Sequence, residues 1–458
     1  MKRIGISSRP ASAVLAAGAR AVVLAMAVWV LPANSWAATE VVLHTFTDTN
    51  TNENGGPISG LAADADGNLY GTTYGTGACS VGCGSVFRLT KLADGKFSFQ
   101  TIYRFSGLAL DGENPYGAPV VDSAGNVYGT TVFGGSGGVV YKLVPMENGQ
   151  YKETVLHFFG AFGTNDGSQP YSSLVFDKAG NLYGTTNQGG GGAGGTFCLN
   201  GCGTVFKLAP NHDGSWTESV IHRFPGTKGN TDGQNPRGGL VFDSAGNLWG
   251  TTQTGGNMQG CLAFLDPTGC GTVFELTLQP DGKWKESTRF KFAGESTGFN
   301  PWDGLVIDHE NNLYGMVTNG GGGNGAVFKL TPKPGGGVKE KIIHAFAPCG
   351  VATCPDGANP ENGLAIDSLG NLYGTADLGG GGGGIPQGHG VVFKLTSNAD
   401  GTWTEHILHR FTGLADGAFP LDDQVVVDSA GNVFGTAFNG GHIGLCPVGC
   451  GVVYQIKP

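Results

Sequence analysis

Residues 203–252 form the most informative stretch of the sequence: GTVFKLAPNHDGSWTESVIHRFPGTKGNTDGQNPRGGLVFDSAGNLWGTT. Four runs within it, GTVFKL, WTESVIHRF, GLVFD and NLWGTT, are rich in β-branched and aromatic residues, and clusters of Gly, Pro, Asn and Asp separate them. Such runs bounded by turn formers are typical of short β-strands. The stretch therefore predicts the four strands of one small sheet.

The same unit occurs seven times, and the asparagine that opens its N-L-Y-G-T-T run marks each copy. Successive markers are 58, 55, 66, 65, 59 and 61 residues apart; they are Asn68, Asn126, Asn181, Asn247, Asn312, Asn371 and Asn432. Four strands in about 40 to 50 residues are typical of a β-propeller blade, and glycine-rich loops account for the extra length here. The sequence predicts an all-β fold, a seven-bladed β-propeller of four-stranded blades.

The two ends of the repeat region predict how the ring closes. Residues 40–46 (EVVLHTF) match the fourth strand of the unit, whereas residues 451–457 (GVVYQIK) match the third. The last copy thus lacks its outer strand, and the N-terminal segment supplies one. Because open sheet edges promote aggregation, we expect the N-terminal strand to pair with the C-terminal blade.

Residues 1–37 have the pattern of a secretory signal peptide. Four Lys and Arg precede an apolar run at residues 21–31, and small residues follow up to Ala37. Eleven apolar residues are too few for the roughly 20 that a membrane-spanning helix needs. We predict cleavage after Ala37 or Ala38, a single propeller domain at residues 38–458, and an exported protein of the periplasm or the cell exterior.

Charge limits the partners of the mature chain. Removing four of the 26 Lys and Arg, and none of the 36 Asp and Glu, changes the net charge from −10 to −14. Such acidity argues against binding to nucleic acid or to anionic membranes. No later segment is apolar and long enough to span a membrane. We expect a monomer without a nucleic-acid partner.

The ten cysteines form five close pairs, which on an exported chain predict disulfides. Neither the C-x-x-C spacing of zinc sites nor the C-x-x-C-H of haem attachment occurs. The predicted pairs are Cys79 with Cys83, Cys198 with Cys202, Cys261 with Cys270, Cys349 with Cys354, and Cys446 with Cys450.

Two repeated polar positions are predicted to be structural. The aspartate of D-x-x-G-N, between the first and second strands, accepts backbone N–H groups in a tight turn. In the fourth strand a histidine stands two residues before a phenylalanine in five copies, and Tyr103 and Phe290 replace it in two. A position that tolerates Tyr or Phe indicates packing, with the histidine paired to a backbone group or a carboxylate.

The repeat D-x-x-G-N-L-Y-G-T-T, a glycine-rich loop, G-T-V-F-K-L and V-L-H-x-F resembles the GloVer tandem repeat of exported bacterial proteins described as choice-of-anchor. Its D-x-x-G-N-x-Y step is also similar to NHL-type propeller blades. The resemblance covers all seven copies. It implies a propeller-like repeat protein, and it brings no catalytic residues to this chain.

Candidate site residues follow the D-G-x-x-P loop, where each innermost strand should begin at the mouth of the central channel. We name the position six residues before the turn aspartate the first mouth slot, and the next position the second mouth slot. The first slot holds Ile58, Tyr116, Tyr171, Arg237, Trp302, Glu361 and Asp422; the second holds Ser59, Gly117, Ser172, Gly238, Asp303, Asn362 and Asp423. These slots differ between copies, which favours a ligand site over packing alone.

Chemistry divides the mouth residues into two groups. Aromatic faces suit sugars or apolar groups, and an arginine suits a carboxylate, so the ligand-binding candidates are Tyr116, Tyr171, Arg237, Trp302 and Asn362. Close carboxylates suit a general acid and base or Ca²⁺, and the candidates are Asp303, Glu361, Asp422 and Asp423. A solvated polar rim is the alternative for both groups. No cofactor is expected, and Ca²⁺ is the one ion these residues suggest.

Three function classes fit the sequence. The leading hypothesis is a binding module for carbohydrate or protein at the channel mouth, because no complete catalytic constellation occurs. The second is a glycan hydrolase or lyase that uses the mouth carboxylates. The third is a purely structural envelope protein without a ligand.

Overall fold

The protein is a seven-bladed β-propeller in a computed structural model. The structure describes residues 38–47, 56–75, 83–108, 110–160, 164–191, 198, 201–225, 232–257, 261, 269–349, 354–381, 388–421, 424–441 and 449–458. Every named element in these ranges is a strand, and seven four-stranded antiparallel blades form the ring, with one additional short strand on the sheet of blade 2. The predicted fold class is confirmed. The signal-peptide prediction falls on residues 1–37, outside the described residues.

The strands occur along the chain as follows. The closing strand is β1 (Thr39–Thr45). Blade 1 is β2 (Ala62–Ala63), β3 (Leu69–Thr73), β4 (Ser85–Lys91) and β5 (Phe97–Arg104). After β6 (Gly112–Pro115), blade 2 is β7 (Val120–Val121), β8 (Val127–Gly134), β9 (Val139–Pro145) and β10 (Tyr151–Phe158). Blade 3 is β12 (Val175–Phe176), β13 (Leu182–Thr186), β15 (Thr204–Pro210) and β16 (Trp216–Arg223), with the loop pair β11 (Gly167–Ser168) and β14 (Gln188–Gly189).

The remaining blades repeat this order. Blade 4 is β17 (Val241–Phe242), β18 (Leu248–Thr252), β19 (Thr272–Leu278) and β20 (Trp284–Lys291). Blade 5 is β21 (Val306–Ile307), β22 (Leu313–Val317), β23 (Ala326–Pro332) and β24 (Val338–Ala345). Blade 6 is β25 (Ala365–Ile366), β26 (Leu372–Ala376), β27 (Val391–Ser397) and β28 (Trp403–Arg410). Blade 7 is β29 (Val426–Val427), β30 (Val433–Ala437) and β31 (Val452–Lys457), completed by β1.

Ring closure is confirmed by the pairing of β1 with β31. The two strands run antiparallel, with Glu40 opposite Ile456 and Val42 opposite Tyr454. Across the same junction, Thr436 Oγ1 of blade 7 donates to the Ser59 carbonyl of blade 1 at 2.8 Å. Both terminal edges are thereby paired within the molecule.

The hydrophobic core lies between blades, and the phenylalanine after each fourth strand is central to it. Phe224 is 1% exposed, and its ring lies 5.3 Å from that of Phe274 in the next blade. Within a blade, the glycine of L-Y-G-T-T admits an aromatic ring from the third strand. A Cβ on Gly250 would lie 2.6 Å from Phe274, so a larger residue there would displace the ring.

The D-x-x-G-N aspartate is structural, as the sequence predicts. Asp122 accepts hydrogen bonds from the backbone N–H of Ala124 and Asn126, from Asn126 Nδ2 and from the Tyr128 hydroxyl, at 2.7–3.0 Å. Burial by itself raises the pKa of this carboxyl, but these hydrogen bonds outweigh burial and hold its pKa below the usual value. The turn therefore holds an ionised aspartate.

Three predicted disulfides lie in the described residues and are present: Cys198–Cys202, Cys261–Cys270 and Cys349–Cys354, with Cα–Cα distances of 5.3, 5.5 and 4.4 Å. Cys83 and Cys450 are also disulfide-bonded, whereas Cys79 and Cys446 lie outside the described residues. In the part of the chain that the structure describes, no helix has the length and apolarity to cross a membrane.

Candidate binding site at the channel mouth

The innermost strands of all seven blades line a central cavity of about 450 Å³. Most of its lining is backbone and small or aliphatic side chains, such as Ala62, Val120 and Val241. Asp303 and Gln424 contribute polar side chains. The cavity walls thus offer little specific chemistry, and the varied residues concentrate at the mouth.

Six of the candidate ligand-binding and carboxylate residues come together around one small hollow. Its volume is about 20 Å³, and its lining includes Tyr116, Tyr171, Arg237, Trp302, Asp303 and Glu361. These residues come from blades 2 to 6, so sequence-distant repeats supply one site. Side chains from five blades therefore meet at one place on the ring.

Arg237 is the centre of this convergence. Its guanidinium carbon lies 4.1 Å from the centroid of Trp302, 4.5 Å from that of Tyr171 and 4.9 Å from that of Tyr116. Arg237 Nη2 also donates a hydrogen bond to the Tyr116 hydroxyl. Aromatic faces attract a cation, and such contacts contribute from about 0.5 to 2 kcal/mol each, more when desolvated. We call Arg237, Tyr116, Tyr171 and Trp302 the arginine cage.

The aromatic rings also order one another. Tyr116 and Tyr171 meet edge to face, with centroids 5.0 Å apart and planes at 86°. Tyr74, from the loop after β3, extends the series at 6.4 Å from Tyr116. Sequence reasoning missed Tyr74 because it lies outside the mouth slots. It also missed the cage, although three aromatic slots flank one arginine slot around the ring.

The loop geometry that presents the first mouth slot is built from positive-φ residues before proline. Asn235 has φ 56°, and its N–H donates to the Cys202 carbonyl of the neighbouring blade at 2.8 Å. Its Nδ2 donates to the Asn187 carbonyl at 3.0 Å, which fixes the loop that carries Arg237. The loops after fourth strands and after second strands therefore pack together on this face.

Several residues of the second mouth slot take part in packing, within a blade or between neighbouring blades. Ser172 Oγ accepts the Thr185 N–H at 3.0 Å, and Ser59 Oγ accepts the Thr72 N–H at 2.9 Å. A Cβ on Gly238 would lie 2.1 Å from the Gly304 nitrogen, so blades 4 and 5 approach here through backbone. Ser59, Ser172 and Gly238 thus have local packing roles, whereas Asp303 of the same slot lines the hollow.

Asn362 belongs to this packing set. It is 2% exposed, and its Nδ2 donates to Thr375 Oγ1, the Pro420 carbonyl and Asp377 Oδ1. Asn362 does not line the hollow at the arginine cage. Its side chain holds blade 6 against blade 7.

The carboxylate candidates are only partly placed. Asp303 and Glu361 line the hollow, and Asp303 Oδ1 accepts the Gly304 N–H at 2.6 Å. Asp422 and Asp423 lie outside the described residues. The roles predicted for the four carboxylates, in catalysis or in Ca²⁺ binding, stay predictions.

Histidines of the fourth strands pair with carboxylates at the outer rim, as expected for a structural position. His157 Nε2 lies 3.2 Å from Asp166 Oδ2, and His409 Nε2 lies 3.2 Å from Asp416 Oδ2. Both aspartates belong to the D-G-x-x-P loop of the same repeat. Two rim groups, His157 with Asp166 and Glu218, and His344 with Asp356 and Glu405, bring their ligand-type atoms within 4.8 Å of one another.

Comparison with known proteins identifies the repeat. Residues 32–198 and 195–448 match the Gloeobacter/Verrucomicrobia repeat. No curated protein matches the chain.

Three solved structures resemble the chain distantly. A candidate gluconolactonase shares 16% identity over 74% of this chain and 89% of its own, with a TM-score of 0.39. Puromycin hydrolase shares 12% identity over 86% of this chain and 52% of its own, with a TM-score of 0.46. A candidate oxidoreductase (glucose dehydrogenase) from Thermus thermophilus shares 14% identity over 92% of this chain and 99% of its own, with a TM-score of 0.36. At such TM-scores these likenesses carry no argument about function.

Proposed function

The chain belongs to the Gloeobacter/Verrucomicrobia repeat family, and we propose that it is an exported propeller that binds carbohydrate at the channel mouth. The observation that carries the proposal is the convergence of Tyr116, Tyr171, Arg237, Trp302 and Glu361 on one hollow. The seven repeats have similar residues at most other equivalent positions, whereas the mouth slots hold different residues in different copies. This difference distinguishes the mouth from the rest of the ring.

The size of the hollow decides how a ligand would lie. About 20 Å³ accommodates a water molecule but not a sugar ring. We therefore propose that the arginine cage is the floor of the site, and that the ligand lies across it on the loop side. Stacking occupies the faces of the guanidinium, whereas its in-plane N–H groups suit hydroxyl or carboxylate oxygens of a sugar.

Carbohydrate fits this floor better than other ligands. Flat aromatic groups pack against sugar rings, and a mixture of arginine and carboxylates supplies donors and acceptors for hydroxyl groups. Half-buried aromatic rings fixed by mutual contacts lose little entropy on binding. A protein ligand would need a larger apolar surface than these four residues provide.

Export is part of the same proposal. Disulfides form and persist in oxidising compartments, and three are present in the described residues. We propose that residues 1–37 direct the chain to the periplasm or the cell exterior and are removed there. Mass spectrometry of the protein recovered from that compartment would give the mature N-terminus.

The test is binding of the purified protein to a panel of neutral and acidic polysaccharides. We expect Trp302→Ala and Arg237→Ala to weaken binding at least tenfold, because each removes a side chain of the arginine cage that the ligand would contact. Asp303→Asn and Glu361→Gln should leave most of the affinity. Leu369→Ala is the matched control, since Leu369 is 83% exposed on a D-x-x-G-N turn, away from the mouth.

Two results would contradict the proposal. One is failure of the intact protein to bind any polysaccharide of the panel. The other is equal binding by Trp302→Ala and the unsubstituted protein, both with native thermal unfolding. Release of products that stops with Asp303→Asn would instead indicate a glycan hydrolase or lyase.

A further inference from the structure

A second chemically distinctive place lies at the outer rim, between blades 5 and 6. His344 of β24 faces Glu405 of β28, and Asp356 follows from the loop that leaves β24. His344 Nε2 lies 3.3 Å from Glu405 Oε1. One ligand-type atom from each of the three residues lies within 4.8 Å of the other two.

This rim cluster differs from its counterpart between blades 2 and 3 in the hydrogen bonding of the histidine and the aspartate, whereas the glutamate oxygen, Glu218 Oε1 in the counterpart, lacks a partner at both junctions. His344 Nε2, Asp356 Oδ1 and Glu405 Oε1 are all shielded from solvent, and none has a hydrogen-bond partner among the described residues. Buried polar atoms in proteins are nearly always hydrogen-bonded, so three exceptions at one place require an explanation. A cation bonded to all three atoms supplies one.

The junction between blades 2 and 3 provides the internal comparison. It has the same residue types, but Asp166 Oδ1 accepts the Gly167 N–H, and Asp166 Oδ2 accepts the Gly160 N–H and lies 3.2 Å from His157 Nε2. Protein groups therefore satisfy both oxygens of Asp166. The equivalent Oδ1 of Asp356 has no such partner among the described residues.

Local structure also orients the ligands. The Ala347 N–H donates to Asp356 Oδ2 at 2.9 Å, which directs the carboxylate. The Cys349–Cys354 disulfide constrains the loop that carries Asp356. Asn324 Nδ2 donates to the Ala347 carbonyl at 3.2 Å and ties the same loop to blade 5. Such outer contacts fix the positions of metal ligands in proteins.

We propose that His344, Asp356 and Glu405 bind one divalent transition metal ion, with Zn²⁺ as the best match, and thereby join blades 5 and 6 at the rim. One imidazole nitrogen and two carboxylate oxygens are typical zinc ligands at about 2.0–2.2 Å, whereas Ca²⁺ takes six to eight oxygens. Ligand atoms on a tetrahedral ion lie roughly 3.3 Å apart at these bond lengths. The His344–Glu405 pair already has this spacing.

The test is Zn²⁺ titration of chelator-treated protein without a polyhistidine tag, by calorimetry, with Co²⁺ absorption as a spectroscopic check. We expect one tight site in the intact protein. His344→Phe should lower its affinity at least 100-fold, and Zn²⁺ should raise the melting temperature of the intact protein but not of this variant. Phenylalanine is a suitable replacement because Phe290 occupies the equivalent position in blade 4.

Control variants separate this site from general histidine binding. His157→Phe and His409→Phe should keep the tight site, because His157 and His409 lie beside Asp166 and Asp416 at their own junctions. Asp356→Asn gives a second test in case His344→Phe is unstable. The proposal is overturned if the intact protein takes up no Zn²⁺, if folded His344→Phe or Asp356→Asn binds as tightly as the intact protein, or if a control variant loses the site.

Discussion

At the scale of single residues, the position before the loop proline shows how one backbone conformation limits the choice of side chain. Six such residues have φ between 51° and 57°, and four of them are asparagine, which tolerates the left-handed region. The six are Asn114, Gln169, Asn235, Asn300, Asn359 and Phe419. Phe419 is the bulkiest of them, and its backbone is held by hydrogen bonds to His389 and Phe438.

Phe419→Asn should therefore stabilise the protein, whereas Asn359→Phe should destabilise it. Strain at a non-glycine residue with positive φ costs about 1 kcal/mol or more, and asparagine reduces it. We expect the unfolding free energy to rise by about 0.5–1 kcal/mol in the first variant and to fall by about 1–2 kcal/mol in the second. Urea unfolding measures both. Destabilisation by Phe419→Asn would show that packing of the phenyl ring outweighs backbone strain.

Single residues also mark the limit of sequence reasoning about the site. Counting back from the turn aspartate placed Arg237 and Trp302 at the channel mouth, because each repeat has its mouth slot at the same point of the fold. It could not separate the first slot from the second, since that depends on which side chain faces the neighbouring blade. Asn362 illustrates the difference: its position in the second mouth slot suggested contact with a ligand, yet its side chain is buried.

At the scale of elements, the D-x-x-G-N turn joins the first two strands through one ionised side chain. The pKa of Asp122 is lower in the folded chain than its ordinary 3.8, so its stabilising effect is complete above about pH 4 and is lost as pH falls through the folded value. Asp64, Asp177, Asp308 and Asp367 show the same direction from the same hydrogen bonds.

Asp122→Asn should accordingly remove part of the acid sensitivity of the fold. At pH 7 we expect a loss of about 1 kcal/mol, because the amide accepts fewer and weaker hydrogen bonds than a carboxylate. As the pH falls below 3.8 and through the folded pKa of Asp122, the variant and the intact protein should converge in stability. Urea unfolding at pH 7, 5 and 3 tests this, with the exposed Ser123→Ala as control. A pH-independent difference would exclude ionisation as the source.

Strand positions were largely predictable, since β-branched and aromatic runs between turn formers define each second, third and fourth strand. The innermost strands are the exception. GLVFD predicts a strand of five residues, but β17 has only two. The strand is shorter because the backbone just before it, around Gly238, packs against the neighbouring blade instead of pairing with the second strand. The loop pair β11 and β14 had no recognisable pattern in the sequence.

At the scale of the whole molecule, closure depends on a strand that is far in sequence from the blade it completes. Phe46 follows β1, is fully buried, and donates its N–H to the Gly451 carbonyl at 3.0 Å. Its ring lies 5.5 Å from that of Phe87 in blade 1. Phe159 has the corresponding place between blades 2 and 3, with its ring 5.0 Å from Phe206. Substitutions of these two residues therefore allow the junction that closes the ring to be compared with a junction between blades that are consecutive in the chain.

Phe46→Ala and Phe159→Ala should lower the unfolding free energy by similar amounts, but they should differ in whether the variant associates. Each truncation of a buried phenylalanine should lower the unfolding free energy by about 3–5 kcal/mol.

At the closing junction only strand pairing and packing hold β1 against blade 7, so Phe46→Ala should also release β1 and expose the edge of β31. We expect concentration-dependent association from Phe46→Ala, seen by size-exclusion chromatography and light scattering. Blades 2 and 3 stay linked by the chain, so Phe159→Ala should elute at the same volume as the intact protein at every concentration. Phe158→Ala, at an exposed neighbouring position, is the control for truncation alone. Equal association by both buried variants would mean that closure by β1 is no weaker than the other junctions, and that the ring opens at no preferred place.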